Sequence, residues 1–254
     1  MTLFHSFDQD KRAVLNPEDI IKKVDGFPET VVVTFKQQIL DIVLESMPCE
    51  KLSSMNLGGS IPVYKIEYKG KSFAFFKTVM GAAGAVSLME EVIAMGGRKF
   101  VFFGSCGTLD GSIDAGDFIV PTAAFRDEGT SYHYLEPADY VEVETAEITA
   151  SILKELGLHI TETKTWTTDG LYRETRRNME KRVAEGCRVV DMECASFMAA
   201  GKFREVEVYQ YLYAEDNLDD VKWDPRTLGK VPKNISEAYL KVALEIAFRI
   251  RKTI

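Results

Sequence analysis

GGRKFVFFGSCGTLDGSIDAGDFIVP, residues 96–121, is the stretch that decides the fold. Its opening Gly96-Gly97 reads as the stop of a helix. The residues before it, Ala85–Met95, carry Val86, Met89, Val92 and Ile93 at helical spacing. Lys99–Phe103 then reads as a strand buried on both sides. Gly104-Ser105-Cys106-Gly107-Thr108 reads as a loop after that strand. Its two glycines let backbone approach a ligand, and Ser105 offers a hydroxyl and an N–H. Asp117–Pro121 begins the next strand. Helix, buried strand, glycine-rich loop and strand in succession is an α/β unit.

The same alternation extends in both directions. Upstream, Val31–Phe35 reads as a strand and Asp41–Met47 as a short helix. Ile61–Tyr68 and Ser72–Met80 form a hairpin about Lys69-Gly70-Lys71, and Gly81–Gly84 is a small-residue loop. Downstream, strands at Thr163–Thr168, Arg188–Asp191 and Glu207–Ala214 alternate with helices. These helices are Ala146–Leu156, Glu174–Ala184, Glu193–Phe203 and Ile235–Arg251. No Pro/Gly-rich linker interrupts the chain. The expectation is one α/β domain over residues 1–254, a mixed central β-sheet flanked by helices. Ligands of open α/β sheets sit beyond the carboxyl ends of strands. The segments to search are therefore 81–84, 104–109, 168–174, 191–194 and 214–218.

Composition narrows the function classes. The 254 residues carry 31 Lys+Arg against 39 Asp+Glu, a net charge of −8, which argues against nucleic-acid partners. With 46% hydrophobic and 28% charged residues the chain is that of a globular protein, not a disordered one. No apolar run is long enough to span a membrane, and Met1–Asp10 has no signal-peptide pattern. Cys49, Cys106, Cys187 and Cys194 show no C-x-x-C spacing, and the histidines are only His5, His133 and His159. No zinc site or disulfide framework is expected, and the compartment read from this is a reducing cytoplasm.

Three short segments could carry chemistry, and each has a plainer reading. Gly104–Thr108 is a ligand loop or a tight turn, and Cys106 a nucleophile or a small packed thiol. Asp191-Met192-Glu193-Cys194 joins a strand to a helix of small residues. Its carboxylates either cap the helix or accept hydrogen bonds from two adjacent sugar hydroxyls. Glu215-Asp216-Asn217 ends a strand, as a turn or as an acid that protonates a leaving group. Tyr132-His133-Tyr134 reads as a stacking surface or a strand edge. The cluster Arg173, Arg176, Arg177, Lys181 and Arg182 reads as a solvated helix face or an anion site.

Taken in order, residues 96–121, VVDMECASFMAAG (189–201) and YLYAEDNL (211–218) resemble the nucleoside phosphorylase family. That family includes uridine phosphorylase and the hexameric bacterial purine nucleoside phosphorylase. FRDEGTSYHY (125–134) is similar to the uridine branch. The resemblance implies a three-layer α/β/α fold and cleavage of a nucleoside N-glycosidic bond through an oxocarbenium-like sugar. It implies phosphate as co-substrate, no cofactor, ribose 1-phosphate as product, and a homo-oligomer, a dimer or trimer of dimers. It places Met192 and Glu193 on the ribose and His5 at a neighbouring subunit's 5′-hydroxyl. Cys106, Gly107, Leu171 and Tyr172 fall beside the base, with Leu171 where an aromatic residue is usual. Asp216 matches the acid that protonates purine N7, and Ser105 the phosphate-binding serine.

Departures cluster in the phosphate site. Thr34-Phe35-Lys36-Gln37-Gln38 replaces the Gly-Asp-Pro-x-Arg loop, and Phe102 replaces an arginine. Leu57–Ser60 holds no arginine, and Gly81-Ala82-Ala83-Gly84 replaces Gly-Gly-Pro-Ser. Burying a dianion without cationic partners is costly. The leading expectation is a phosphorylase acting on a purine-type nucleoside, with phosphate held by Lys36, Arg126 or Arg173. The alternatives are a hydrolase of the same fold, which lacks the N-terminal glutamate of such nucleosidases, and a non-catalytic nucleoside-binding protein.

Overall fold

The computed structural model describes residues 6–250. Ten strands form one mixed sheet: β1 (Thr30–Thr34), β2 (Cys49–Asn56), β3 (Ser60–Tyr68), β4 (Lys71–Lys77), β5 (Lys99–Thr108), β6 (Phe118–Asp127), β7 (Tyr140–Glu142), β8 (Ile160–Thr168), β9 (Cys187–Asp191) and β10 (Glu207–Asn217). Around it lie α1 (Pro17–Ile20), α2 (Gln37–Ser46), α3 (Ala82–Met95), α4 (Ala146–Glu155), α5 (Arg176–Ala184), α6 (Cys194–Arg204) and α7 (Lys233–Arg249). Among the described residues no helix is long and apolar enough to cross a membrane.

The sheet folds back on itself at β10. This strand pairs parallel with β5 and antiparallel with β6. The strands β5, β9, β8, β6 and β10 therefore close a ring, and β1, β4, β3 and β2 extend from β5 as an open wing. The hairpin between β3 and β4 turns on two residues, Lys69 and Gly70, both at positive φ, as a type I′ turn requires.

Strand β5 runs through the centre, and its side chains alternate between two helical layers. Phe102 stacks on Phe197 of α6, ring centroids 3.7 Å apart. Phe103 stacks on Tyr211, whose hydroxyl donates to the Tyr239 carbonyl of α7. Burying aromatics on both faces of one strand is what a sheet between helix layers demands. Helix α6 is buried from Cys194 to Gly201, which explains its run of small residues.

Several boundaries differ from the sequence reading. Strand β5 continues through Gly104–Thr108, so this segment is strand rather than loop. Its register with β10 runs from Lys99 to Thr108. Gly104 is required because a Cβ there would lie 2.8 Å from the Phe35 ring. Glycine inside a strand marks such an approach. Helix α3 begins at Ala82, so only Gly81, at φ +98°, remains of the expected 81–84 loop. Tyr132 and His133 lie in a 3-10 turn, Thr130–His133, not at a strand edge. Glu215–Asn217 belongs to β10 rather than to a turn. Strand β2 is an addition; its largely exposed, polar pattern carries little periodic signal.

Candidate functional site

A cavity of about 340 Å³ opens at the carboxyl ends of β5, β9 and β10. Gly104, Ser105, Cys106 and Gly107 line it, with Glu193 and Met192 from the turn after β9 and Asp216 from β10. The structure thus brings together Ser105, Cys106, Gly107, Leu171, Met192, Glu193 and Asp216. Tyr172 stays apart: it is 94% exposed and lines only an adjoining cavity of about 560 Å³. That cavity shares Leu171, Glu174 and Asp216 with the first and adds Trp223. His5 lies outside the described residues.

The two carboxylates at the end of β9 and just beyond it divide the two roles that the sequence left open. Asp191 is the structural one. Its Oδ2 accepts the backbone N–H groups of Glu193 and Cys194 at 2.9 and 2.6 Å. Its Oδ1 accepts the hydroxyls of Thr165 and Thr167 at 2.9 and 2.8 Å. All four bonds tie the start of α6 to β8. Both carboxylates line the cavity, but only Glu193 makes no such ties to β8; its Oε1 accepts the Gly81 N–H at 2.6 Å. Burial, reinforced by the Asp191 charge, pushes the Glu193 carboxyl up to about 8. This carboxyl gains most by ionising when a positive charge forms next to it.

Asp216 lies at the other end. Its Oδ2 accepts the indole N–H of Trp223 at 2.7 Å. Glu174 lines the same end, and burial together with the nearby Asp216 charge raises its carboxyl to about 7. That end therefore holds a transferable proton at neutral pH. Gly107 forms the wall between: a Cβ there would lie 2.7 Å from Leu218 Cδ1 and 3.3 Å from Asp216 Oδ1. Cys106 is packed among Ile113, Ile119, Val189, Leu212 and Ala214. Burial raises its thiol far above the ordinary range, so it is a packed thiol rather than a nucleophile.

Beyond Ser105 lies a second chamber of about 420 Å³, lined also by Lys36, Gln37, Gln38 and Glu215. Lys36 is ion-paired to Glu215 and lies over the Tyr213 ring, 5.3 Å from its centroid. No arginine among the described residues lines this chamber or the first. Arg126, one expected phosphate ligand, is 3% exposed and already bonded to Ser131 Oγ and the carbonyls of Leu135 and Glu136. Arg182, in the basic cluster, lies over the Phe125 ring at 3.5 Å and pairs with Glu185. Glu174 and Trp223 are additions to the sequence-read site; Glu215, read with Asp216 as a turn or a leaving-group acid, lines the second chamber instead. Glu174 stood in a charged stretch and Trp223 in a polar loop, where neither shows a periodic signal.

The Phosphorylase superfamily profile matches residues 29–246 of the chain. The chain belongs to this superfamily. It is similar to the purine nucleoside phosphorylase of Plasmodium vivax, 27% identical over 193 residues, 73% of this chain and 77% of that one. A shorter match, 32% over 109 residues, links it to the uridine phosphorylase of Thermococcus kodakarensis, covering 42% of this chain and 39% of that enzyme. Among solved structures, AMP nucleosidase from Bacteroides thetaiotaomicron superposes with a TM-score of 0.74 at 19% identity. It covers 93% of this chain and 98% of its own, which establishes the shared fold. The family is one of enzymes, and the sequence relatives named above are nucleoside phosphorylases.

Proposed function

We propose that the chain cleaves the N-glycosidic bond of a purine nucleoside and transfers the ribosyl group to water. The observation that carries the cleavage is the pair of acidic ends of one cavity, Glu193 and Asp216 with Glu174. Glu193 sits where a ribosyl cation would develop. An anion there gains strength in the transition state over the ground state. Glu174, beside Asp216 at that end, supplies the proton that the departing base takes, and Asp216, held by Trp223, faces the base there; protonation makes the base a better leaving group. Met192 lies against the sugar and Gly107 under the base. The proton held at Glu174, next to Asp216, favours purines, whose N7 can receive it.

Water is favoured as acceptor by the surroundings of Ser105. Phe102, standing where the family arginine would, is fully buried against Phe197. Phe35 lies over Gly104, and the nearest cation, Lys36, is already neutralised by Glu215. A phosphate dianion would meet no unpaired cation there. Phosphorolysis to ribose 1-phosphate is the second reading. It is supported by Ser105 and by the phosphorylases among the relatives. Product analysis across a nucleoside panel, in phosphate and phosphate-free buffer, separates them. Free ribose in both buffers is expected. Ribose 1-phosphate formed only with phosphate would establish the second reading, and no cleavage of any nucleoside would leave a binding protein.

A further inference from the structure

We propose that Glu215 is the general base that activates the attacking water in the chamber beyond Ser105. The inference rests on the hydrolytic reading above. Glu215 is fully buried; one oxygen is paired with Lys36, and Oε2 has no partner among the described residues. A buried carboxylate oxygen without a partner is costly. A purely structural ion pair would use both oxygens. Here the unpartnered oxygen belongs to a side chain that lines a chamber large enough for water, with Ser105 and Leu228 as its shared wall with the first cavity.

Backbone geometry makes this arrangement possible. In the β10–β5 register Ala214 pairs with Cys106 and Asp216 with Gly107, so Glu215 is an extra, unpaired residue. A bulge of this kind re-aims side chains. Asp216 lines the nucleoside cavity, while its chain neighbour Glu215 lines the other chamber. Acid and base are consecutive residues serving opposite sides of the bond to be broken. Lys36 is ion-paired to Glu215, and the Tyr213 ring lies under the Lys36 ammonium.

The step balances. A water O–H proton passes to Glu215 Oε2 while the water oxygen bonds to C1′. The C1′–N bond breaks with its electron pair going to the base, which takes a proton from the Asp216 end. Ribose and free base leave. Glu215 returns its proton to solvent, and the acid end regains one. No other reactant is needed.

The test compares wild type with Glu215→Gln, Glu215→Asp and Glu215→Ala, using free-ribose release and calorimetric nucleoside binding. Glu215→Gln is expected to bind nucleoside within about threefold of wild type and to hydrolyse it about 10²–10³-fold more slowly. Glu215→Asp keeps the charge beside Lys36, and with it the fold, yet shortens the reach, so it too loses turnover at unchanged binding. Added formate restores part of the Glu215→Ala rate by supplying the missing carboxylate. Either folded Glu215→Gln or folded Glu215→Asp turning over within threefold of wild type overturns the inference and leaves hydrolysis standing. Wild type that releases base only with phosphate, or not at all, overturns the hydrolytic reading and this inference together.

Discussion

Replacing Glu193 with glutamine is expected to stabilise the protein at alkaline pH while abolishing most of its turnover. The Glu193 carboxyl is 7% exposed and held up at about 8, against an unfolded value near 4.5. Between those values the folded chain keeps a proton that the unfolded chain has released. Wild-type stability therefore falls as pH rises through this window, and the fall ends above about 8. From pH 6 to pH 8 the loss from this one group is about 2 kcal/mol. For a chain of this length that is about 4 °C in melting temperature. Glutamine keeps the carbonyl oxygen that accepts the Gly81 N–H but cannot ionise. The assay is calorimetric melting of both proteins at pH 6 and pH 8. The gap between variant and wild type should widen by about 4 °C in favour of the variant. Other titrating groups are common to both proteins and cancel. A gap that is constant across this range would refute the burial argument. In the same variant kcat/KM is expected to fall by about 10²-fold or more, because glutamine cannot ionise as the ribosyl cation forms beside it.

Three further outcomes are expected. Asp216→Asn should slow purine nucleoside cleavage about 10²-fold but barely affect p-nitrophenyl riboside, whose leaving group needs no proton; equal losses on both would remove Asp216 from the acid role. Gly107→Ala should weaken nucleoside binding by about tenfold, read by calorimetry, because its Cβ would push against Leu218 and Asp216 in the cavity wall. Phe102→Arg should destabilise the fold by at least about 3 kcal/mol in urea melts, since it trades a stacked core ring for an unpaired buried charge. A folded, phosphate-dependent Phe102→Arg enzyme would count against the packing argument.

The sequence conveyed the alternation of β5, α3 and β6 because buried strands and amphipathic helices differ in hydrophobic period. It also pointed to Ser105, Gly107, Glu193 and Asp216, which lie within short segments at strand ends. What stayed hidden depends on distance along the chain. Lys36 and Glu215 are 179 residues apart and meet only because β1 and β10 both flank β5. The extra residue of the β10 bulge follows from pairing, not composition. Gly104–Thr108 looked like a loop because its glycines signal a turn. They are there instead because Phe35 on one side and Leu218 on the other leave no room for a Cβ. Asp191 and Glu193 could not be told apart by spacing, since only the fold shows which of them meets the threonines of β8.

Ser105 and Leu228 form the partition between two chambers, which on the proposed reaction would hold the nucleoside and the acceptor separately. This division makes the catalyst modular. On the proposed reaction, substitutions at positions 36 and 215, which line only the second chamber, would change what attacks the sugar and leave the lining of the first chamber untouched. A change of acceptor would then need only a few side chains of one compartment, and the groups that line the other would stay as they are.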